Sequence, residues 1–132
     1  MSCSMSKSCI DACNACIKKC QECIKCCKEC VACISDKKTE CSANAASCAK
    51  ICQDCIQACR NCVSECQKHI KECDDKECVA ACKECIEACN QCIKACQECA
   101  THCKSPDAKC ADHCKKCIDA CNACIEACKN CL

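Results

Sequence analysis

The sequence predicts an all-α fold, an antiparallel four-helix bundle with a cysteine-lined core. Cysteine provides 33 of the 132 residues and recurs in alternating steps of four and three residues, which is the spacing of one face of a helix. The pattern breaks three times and so divides the chain into four segments. Because the connections are short, neighbouring helices are expected to run antiparallel within one domain, residues 1–132.

The first helix is predicted over about residues 6–34. Its cysteine stripe consists of Cys9, Cys13, Cys16, Cys20, Cys23, Cys27 and Cys30. Ile34 takes the next position of the stripe, whereas Cys26 and Cys33 lie beside it. In the connection that follows, residues 35–40, Thr39 is a candidate N-cap.

The second helix is predicted over about residues 40–73. Its stripe consists of Cys41, Cys48, Cys52, Cys55, Cys59, Cys62, Cys66 and Cys73. Ala45 and His69 fill the two positions that cysteine leaves. His69 should therefore point inward near the end of the helix, where it binds metal or guards an entrance, or else is a satisfied polar residue.

The third and fourth helices are predicted over about residues 75–104 and 106–131. Asp74 and Glu77 have the spacing of a capping box before the third helix, and the run 105–107, Ser-Pro-Asp, reads as N-cap, N1 and an acidic first turn before the fourth. The third stripe consists of Cys78, Cys82, Cys85, Cys89, Cys92, Cys96, Cys99 and Cys103. The fourth consists of Cys110, Cys114, Cys117, Cys121, Cys124, Cys128 and Cys131.

In heptad terms these stripes occupy positions a and d, which face the shared interior of a bundle. The flanking e positions are mostly Ile or Val and the g positions are often Ala, while charged and amide side chains take the outward positions. The chain has no Phe, Trp, Tyr or Gly, and its only leucine is Leu132. Cysteine alone is too small to fill a bundle core to the usual density, so we expect metal ions between the sulfur atoms.

The composition excludes several classes of protein. The 19 Lys and Arg nearly balance the 18 Asp and Glu, and without aromatic residues there is no platform on which bases could stack, so nucleic acid is not an expected partner. No apolar run is long enough to cross a membrane, and the amino terminus lacks the apolar stretch of an export signal. The expected location is the cytoplasm, where thiols stay reduced and cysteine spacing indicates metal chemistry.

The spacing of the cysteines favours metal ligation over cross-linking within a helix. Side chains at i, i+3 and i, i+4 have Cβ atoms about 5 to 6 Å apart, whereas a disulfide needs about 3.5 to 4.5 Å. Cu(I) is soft, prefers thiolates and needs only two or three of them. We therefore predict that Cu(I) binds to all the stripe cysteines, to Cys26 and Cys33, and to His69.

Several alternatives remain open at this stage. Zn(II), Cd(II) or Ag(I) could fill the same thiols, as in a metallothionein, and a structural or secreted bundle stapled by disulfides is the main alternative of another class. An iron–sulfur protein is disfavoured, because the nearest approach to the ferredoxin run, Cys20, Cys23, Cys26 and Cys30, has no proline after it. No CxxC pair is distinguished from the others and no βαβ pattern surrounds one, so we do not expect an enzyme.

A few polar and soft residues lie at the helix ends. His102 and His113 fall at g positions on either side of the third connection, where a solvated or capping role is expected. Met1, Cys3 and Met5 precede the first helix at the same end as His69. A flexible terminus is the default there, although these sulfur atoms suit arriving Cu(I).

The segment CIDACNACI occurs at residues 9–17 and again at 117–125, and longer units such as CIDACNACIEACKNC and CIEACNQCIKACQEC extend the pattern. These repeats resemble the copper storage protein family over roughly residues 9–131. The resemblance implies an antiparallel bundle of the cytosolic type that fills its core with Cu(I) and frequently assembles into a homotetramer. One ion per core thiolate predicts a capacity of roughly 30 Cu(I) per chain, and release to copper chaperones or copper enzymes is expected.

Overall fold

A computed structural model describes the backbone of residues 5–35, 41–103 and 108–132 and the side chains of residues 5–34, 45–103 and 109–132. These residues form four helices and no strand: α1 Lys7–Ser35, α2 Cys41–Glu72, α3 Lys76–His102 and α4 Ala108–Cys131. The all-α four-helix prediction is confirmed. The helix bounds differ from the predicted ones by at most two residues, as expected where helix ends fray.

Each helix packs against two neighbours, in the order α1, α2, α3, α4 and back to α1. The thiol pairs show the direction of the helices. Cys13 faces Cys62 and Cys27 faces Cys48, so the sequence number rises along α1 as it falls along α2. The same reversal relates α3 to α4. The four helices therefore form a closed antiparallel square around one core.

The start of α3 is fixed by Asp75. Its side-chain Oδ1 accepts hydrogen bonds from the backbone N–H of Glu77 at 3.0 Å and of Cys78 at 3.3 Å. Asp75 itself has extended backbone angles, φ −75° and ψ 114°, as an N-cap requires. The prediction of Asp74 as the cap is wrong by one residue. The other predicted caps, Thr39 and the run 105–107, lie outside the described residues.

The core is a sulfur column enclosed by aliphatic side chains. The stripe cysteines of the described residues are almost all fully buried, and half-buried residues such as Ile17, Ile24, Ile86 and Ile93 pack against them. Between them, buried Ala58 and half-buried Ala81 occupy the narrow seams where helices meet. Among the described helices, none combines the length and apolar character that a bilayer span requires.

Candidate metal centre

The core cysteines are arranged in layers, each made of one residue from every helix at the same height. Six of these layers contain four cysteines, because the alternating steps of four and three residues keep every helix in register. From the end near the start of α1 they are 9/66/82/131, 13/62/85/128, 16/59/89/124, 20/55/92/121, 23/52/96/117 and 27/48/99/114. A seventh layer follows beyond them, and we call the seven together the thiol stack.

Within a layer the sulfur atoms contact one another both along the sides and across the diagonal. Cys16 illustrates this: its Sγ lies 3.5 Å from that of Cys124 and 3.6 Å from that of Cys59, on the neighbouring helices. It also lies 4.0 Å from the Sγ of Cys89 on the opposite helix. These distances far exceed the roughly 2.05 Å of a disulfide bond. Thirty cysteines of the described residues are free thiols.

The seventh layer has three thiols. Cys30, Cys103 and Cys110 contribute sulfur, with the Cys103 and Cys110 Sγ atoms 3.4 Å apart and those of Cys30 and Cys110 4.0 Å apart. Ala45 takes the α2 position and is fully buried. This end of the stack therefore offers at most three thiolate ligands in a layer.

At the opposite end, a mixed cluster of Met5, His69, Cys78 and Cys82 caps the stack. His69 is 6% exposed, and its Nε2 lies 3.1 Å from the Sγ of Cys78. The Met5 Sδ lies 3.8 Å from the Cys78 Sγ and 4.0 Å from the Cys82 Sγ. The inward orientation expected for His69 is confirmed. Met5, for which a flexible terminus was the default, packs on the end of the stack, and Met1 and Cys3 lie outside the described residues.

Besides Cys78, which lies in the mixed cluster, four of the predicted cysteine ligands do not belong to the layers. Cys33 is disulfide-bonded, so its prediction as a thiolate ligand is wrong for this structure because a disulfide sulfur has no thiolate to offer. The Cys73 Sγ lies 3.9 Å from the backbone oxygen of Asp75, beyond the end of α2. Cys26 is buried beside the stack on the α1–α2 seam. The side chain of Cys41 lies outside the described residues.

His102 and His113 contact each other away from the thiol stack. Their rings stack with centroids 3.9 Å apart and an angle of 12° between the planes. The Nδ1 of His113 lies 3.6 Å from Oε2 of Glu98. The pair therefore joins α3 to α4 at the end that carries the three-thiol layer.

The thiols of the stack differ in proton affinity. Burial, followed by the charge of a neighbouring thiol, raises the pKa of Cys9 to about 12 and that of Cys30 to about 11. In an inner layer, a hydrogen bond from the Cys128 thiol lowers the pKa of Cys85, while hydrogen bonds to its neighbours, Cys124 first, raise the pKa of Cys128. The thiols thus share protons, and a metal ion that binds them must displace those protons.

The thiol groups overlap along the stack. One group of four buried sulfur atoms within 4.8 Å of one another lies inside a single layer, Cys13, Cys62, Cys85 and Cys128. Another group, Cys16, Cys20, Cys59 and Cys124, takes ligands from two layers. Cys16 and Cys62 each belong to more than one such group. The core therefore contains a series of candidate metal sites, several of which share cysteine ligands.

Comparisons with known proteins leave this geometry as the basis for a functional assignment. No protein-family model, no curated protein and no solved structure matches this chain.

Proposed function

We propose that this protein stores Cu(I) in the thiol stack and releases it to copper-requiring proteins, copper chaperones or copper enzymes, without catalysing a reaction. The observation that carries the proposal is the series of buried four-thiol groups along the core, several of which share sulfur atoms. Soft thiolates select soft ions such as Cu(I). Cu(I) also accepts two or three ligands, so shared sulfur atoms along a stack suit it better than isolated sites would.

Charge favours a monovalent ion. One Cu(I) for each thiolate leaves the stack neutral, whereas a Zn(II) ion with four thiolates of its own carries a net charge of minus two. Repeating that charge in successive layers would bury it among residues that are almost entirely cysteine, alanine and isoleucine. Burying charge without a partner is costly, so the apolar wall around the stack supports Cu(I).

Zinc or cadmium storage is the second candidate, and the size of the layers favours it. A tetrahedral Zn(II) site with Zn–S bonds of about 2.3 Å places its sulfur atoms about 3.8 Å apart. The Sγ atoms of Cys62 and Cys85 are 3.7 Å apart, and those of Cys62 and Cys128 are 4.0 Å apart. Sulfur spacing therefore fits either metal, and the number of ions bound distinguishes them.

The mixed cluster at the end of the stack adds support for a soft ion. The thioether of Met5 and the imidazole of His69 join two thiols there. Thioether sulfur is a ligand that Cu(I) accepts readily and that hard divalent ions avoid. The ligands at this end of the core thus favour the same soft ion as the thiols of its interior.

Titration of the fully reduced protein with Cu(I), without oxygen and against a chromophoric chelator, tests the proposal. Six four-thiol layers and one three-thiol layer hold 27 thiols, so we expect saturation at roughly 27 Cu(I) ions per chain. A parallel titration with Zn(II) should stop at about one ion per layer, roughly seven. If Cu(I) binding saturates near seven ions per chain and Zn(II) binds more tightly, the stored metal is a divalent ion and not Cu(I).

A cytoplasmic location and assembly into a tetramer are part of the same proposal. A reducing compartment keeps the thirty free thiols of the described residues available for metal. Light scattering of the copper-filled protein should give the mass of four 14.2 kDa chains. A measured mass of one chain would contradict the tetramer but would not affect the storage proposal.

A further inference from the structure

A groove on the seam between α1 and α2 leads from the surface to the thiol stack. It has a volume of about 320 Å³ and is lined by Glu22, Lys25, Cys26, Glu29, Ser47 and Ile51. This is the size of pocket that holds a small molecule. Cys26 therefore lies between an open groove and the core.

Cys26 is more than nine-tenths buried, with 6% of its surface exposed, and it packs within the core cluster. The neighbouring Cys48 thiol, followed by burial, raises the pKa of Cys26. Cys48 belongs to the sixth layer, where its Sγ lies 3.6 Å from that of Cys27. Cys26 thus lies between the groove and the thiols of the sixth layer.

We propose that Cys26 is a transfer thiol, through which Cu(I) passes between a small thiol carrier bound in the α1–α2 groove and the sixth layer of the stack. This inference rests on the proposed function. The carrier is a zwitterionic peptide thiol, because Lys25 offers an ammonium group for its carboxylates and Glu29 offers a carboxylate for its ammonium group. Glu22 lines the same groove and is paired with Lys19 at 3.3 Å. The size of the groove suits such a molecule and not a folded protein.

The transfer is a ligand exchange without a change of oxidation state. The Sγ of Cys26 forms a bond to Cu(I) as the bond between Cu(I) and the carrier sulfur breaks. The proton of the Cys26 thiol passes to the carrier, which leaves as a neutral thiol. In the second step Cu(I) moves to the Cys48 sulfur, and the proton that Cys48 gives up returns to Cys26.

The mixed cluster of Met5, His69, Cys78 and Cys82 meets the first layer, at the opposite end of the stack from Cys26. Ions that enter there must pass five layers to reach Cys48. A side path at the sixth layer shortens that distance. This path therefore lets Cu(I) reach the layers far from the mixed cluster without passing through the first five.

The test compares initial rates of Cu(I) uptake from two donors, Cu(I)–glutathione and the bulky thiol-free bicinchoninate complex. We expect Cys26→Ser to slow uptake from Cu(I)–glutathione at least five-fold, to leave uptake from bicinchoninate within two-fold, and to lower the capacity by no more than one ion. Ser47→Trp, which fills the groove without removing a thiol, should slow glutathione uptake in the same way. Ser64→Trp is the matched control, since Ser64 is exposed on the same helix but does not line the groove.

Uptake from Cu(I)–glutathione at the wild-type rate in Cys26→Ser would overturn the inference, and so would equal slowing with both donors. Cys26→Ser decides the question even if Ser47→Trp fails to fold, which far-ultraviolet circular dichroism would show. The failure of the proposed function looks different. In that case the wild-type protein itself would not fill with Cu(I) from either donor.

Discussion

At the scale of single residues, Ala45 makes the seventh layer different from the other six. It occupies a core position of α2 and is fully buried, with a methyl group where the other layers have sulfur. The three thiols around it, Cys30, Cys103 and Cys110, lie within 3.4 to 4.0 Å of a neighbour. One atom thus decides whether this layer has three or four ligands.

Ala45→Cys should therefore complete the seventh layer. In a titration against a competing chelator, which counts only tightly bound ions, we expect the number of Cu(I) ions at saturation to rise by about one per chain. The reason is that the new thiol joins three others. Ala46→Cys is the control: it adds the same thiol one position along α2, where the side chain is exposed. An equal rise in both variants would show that any added thiol binds copper, whatever its place in the fold.

The residue scale also shows what the sequence could predict and what it could not. The inward cysteines and His69 followed from helical periodicity, which fixes the face on which a side chain lies. Cys26 sits at a g position, where the same periodicity does not distinguish a seam from the surface, and the groove beside it depends on how α1 and α2 pack. The contact between Met5 and Cys78 was not predictable, because no repeat constrains a residue ahead of the first helix.

At the scale of elements, the helices follow the pattern of the sequence closely and their ends less so. The alternating four and three spacing placed all four helices to within two residues. The cap of α3 was misplaced by one, because Asp74 and Asp75 are identical side chains and the backbone decides between them. Asp75 has the extended angles, and its carboxylate accepts hydrogen bonds from Glu77 and Cys78.

Asp75→Ala should lower the free energy of unfolding of the metal-free protein by about 1 kcal/mol, since it leaves two backbone N–H groups without this acceptor. Asp74→Ala changes the adjacent, exposed aspartate and should alter stability by less than about 0.5 kcal/mol. Urea unfolding followed by circular dichroism measures both. A larger loss of stability in Asp74→Ala than in Asp75→Ala would show that Asp74 is the N-cap.

At the scale of the whole molecule, proton and metal compete for the same core. In the metal-free protein, burial holds Cys9 and Cys30 in the neutral form, with pKa values of about 12 and about 11 against an ordinary 9.0. Between pH 9 and pH 12 the folded chain therefore retains protons that the unfolded chain has lost. The stability that these two thiols contribute is full below pH 9 and declines as the pH rises through this window, because deprotonation favours the unfolded state.

We accordingly expect the Tm of the metal-free protein to fall by roughly 10 °C or more between pH 9 and pH 12. The copper-filled protein should lose much less, since its thiols have already exchanged their protons for metal. Thermal unfolding followed at 222 nm under reducing conditions compares the two forms. An equal fall in Tm for both forms would mean that groups outside the thiol stack determine the loss of stability at high pH.

The sharing of sulfur between adjacent layers has a kinetic consequence. Steps of three and four residues separate successive layers by about 4.5 and 6 Å along the helix axes, so a departing ion meets the next cysteine before it meets solvent. In the proposed copper store, ions therefore move along the stack in single file, and an ion held midway leaves after those nearer an opening. Withdrawal by an external chelator should follow the order of depth, so the molecule behaves as a queue rather than as a set of independent compartments.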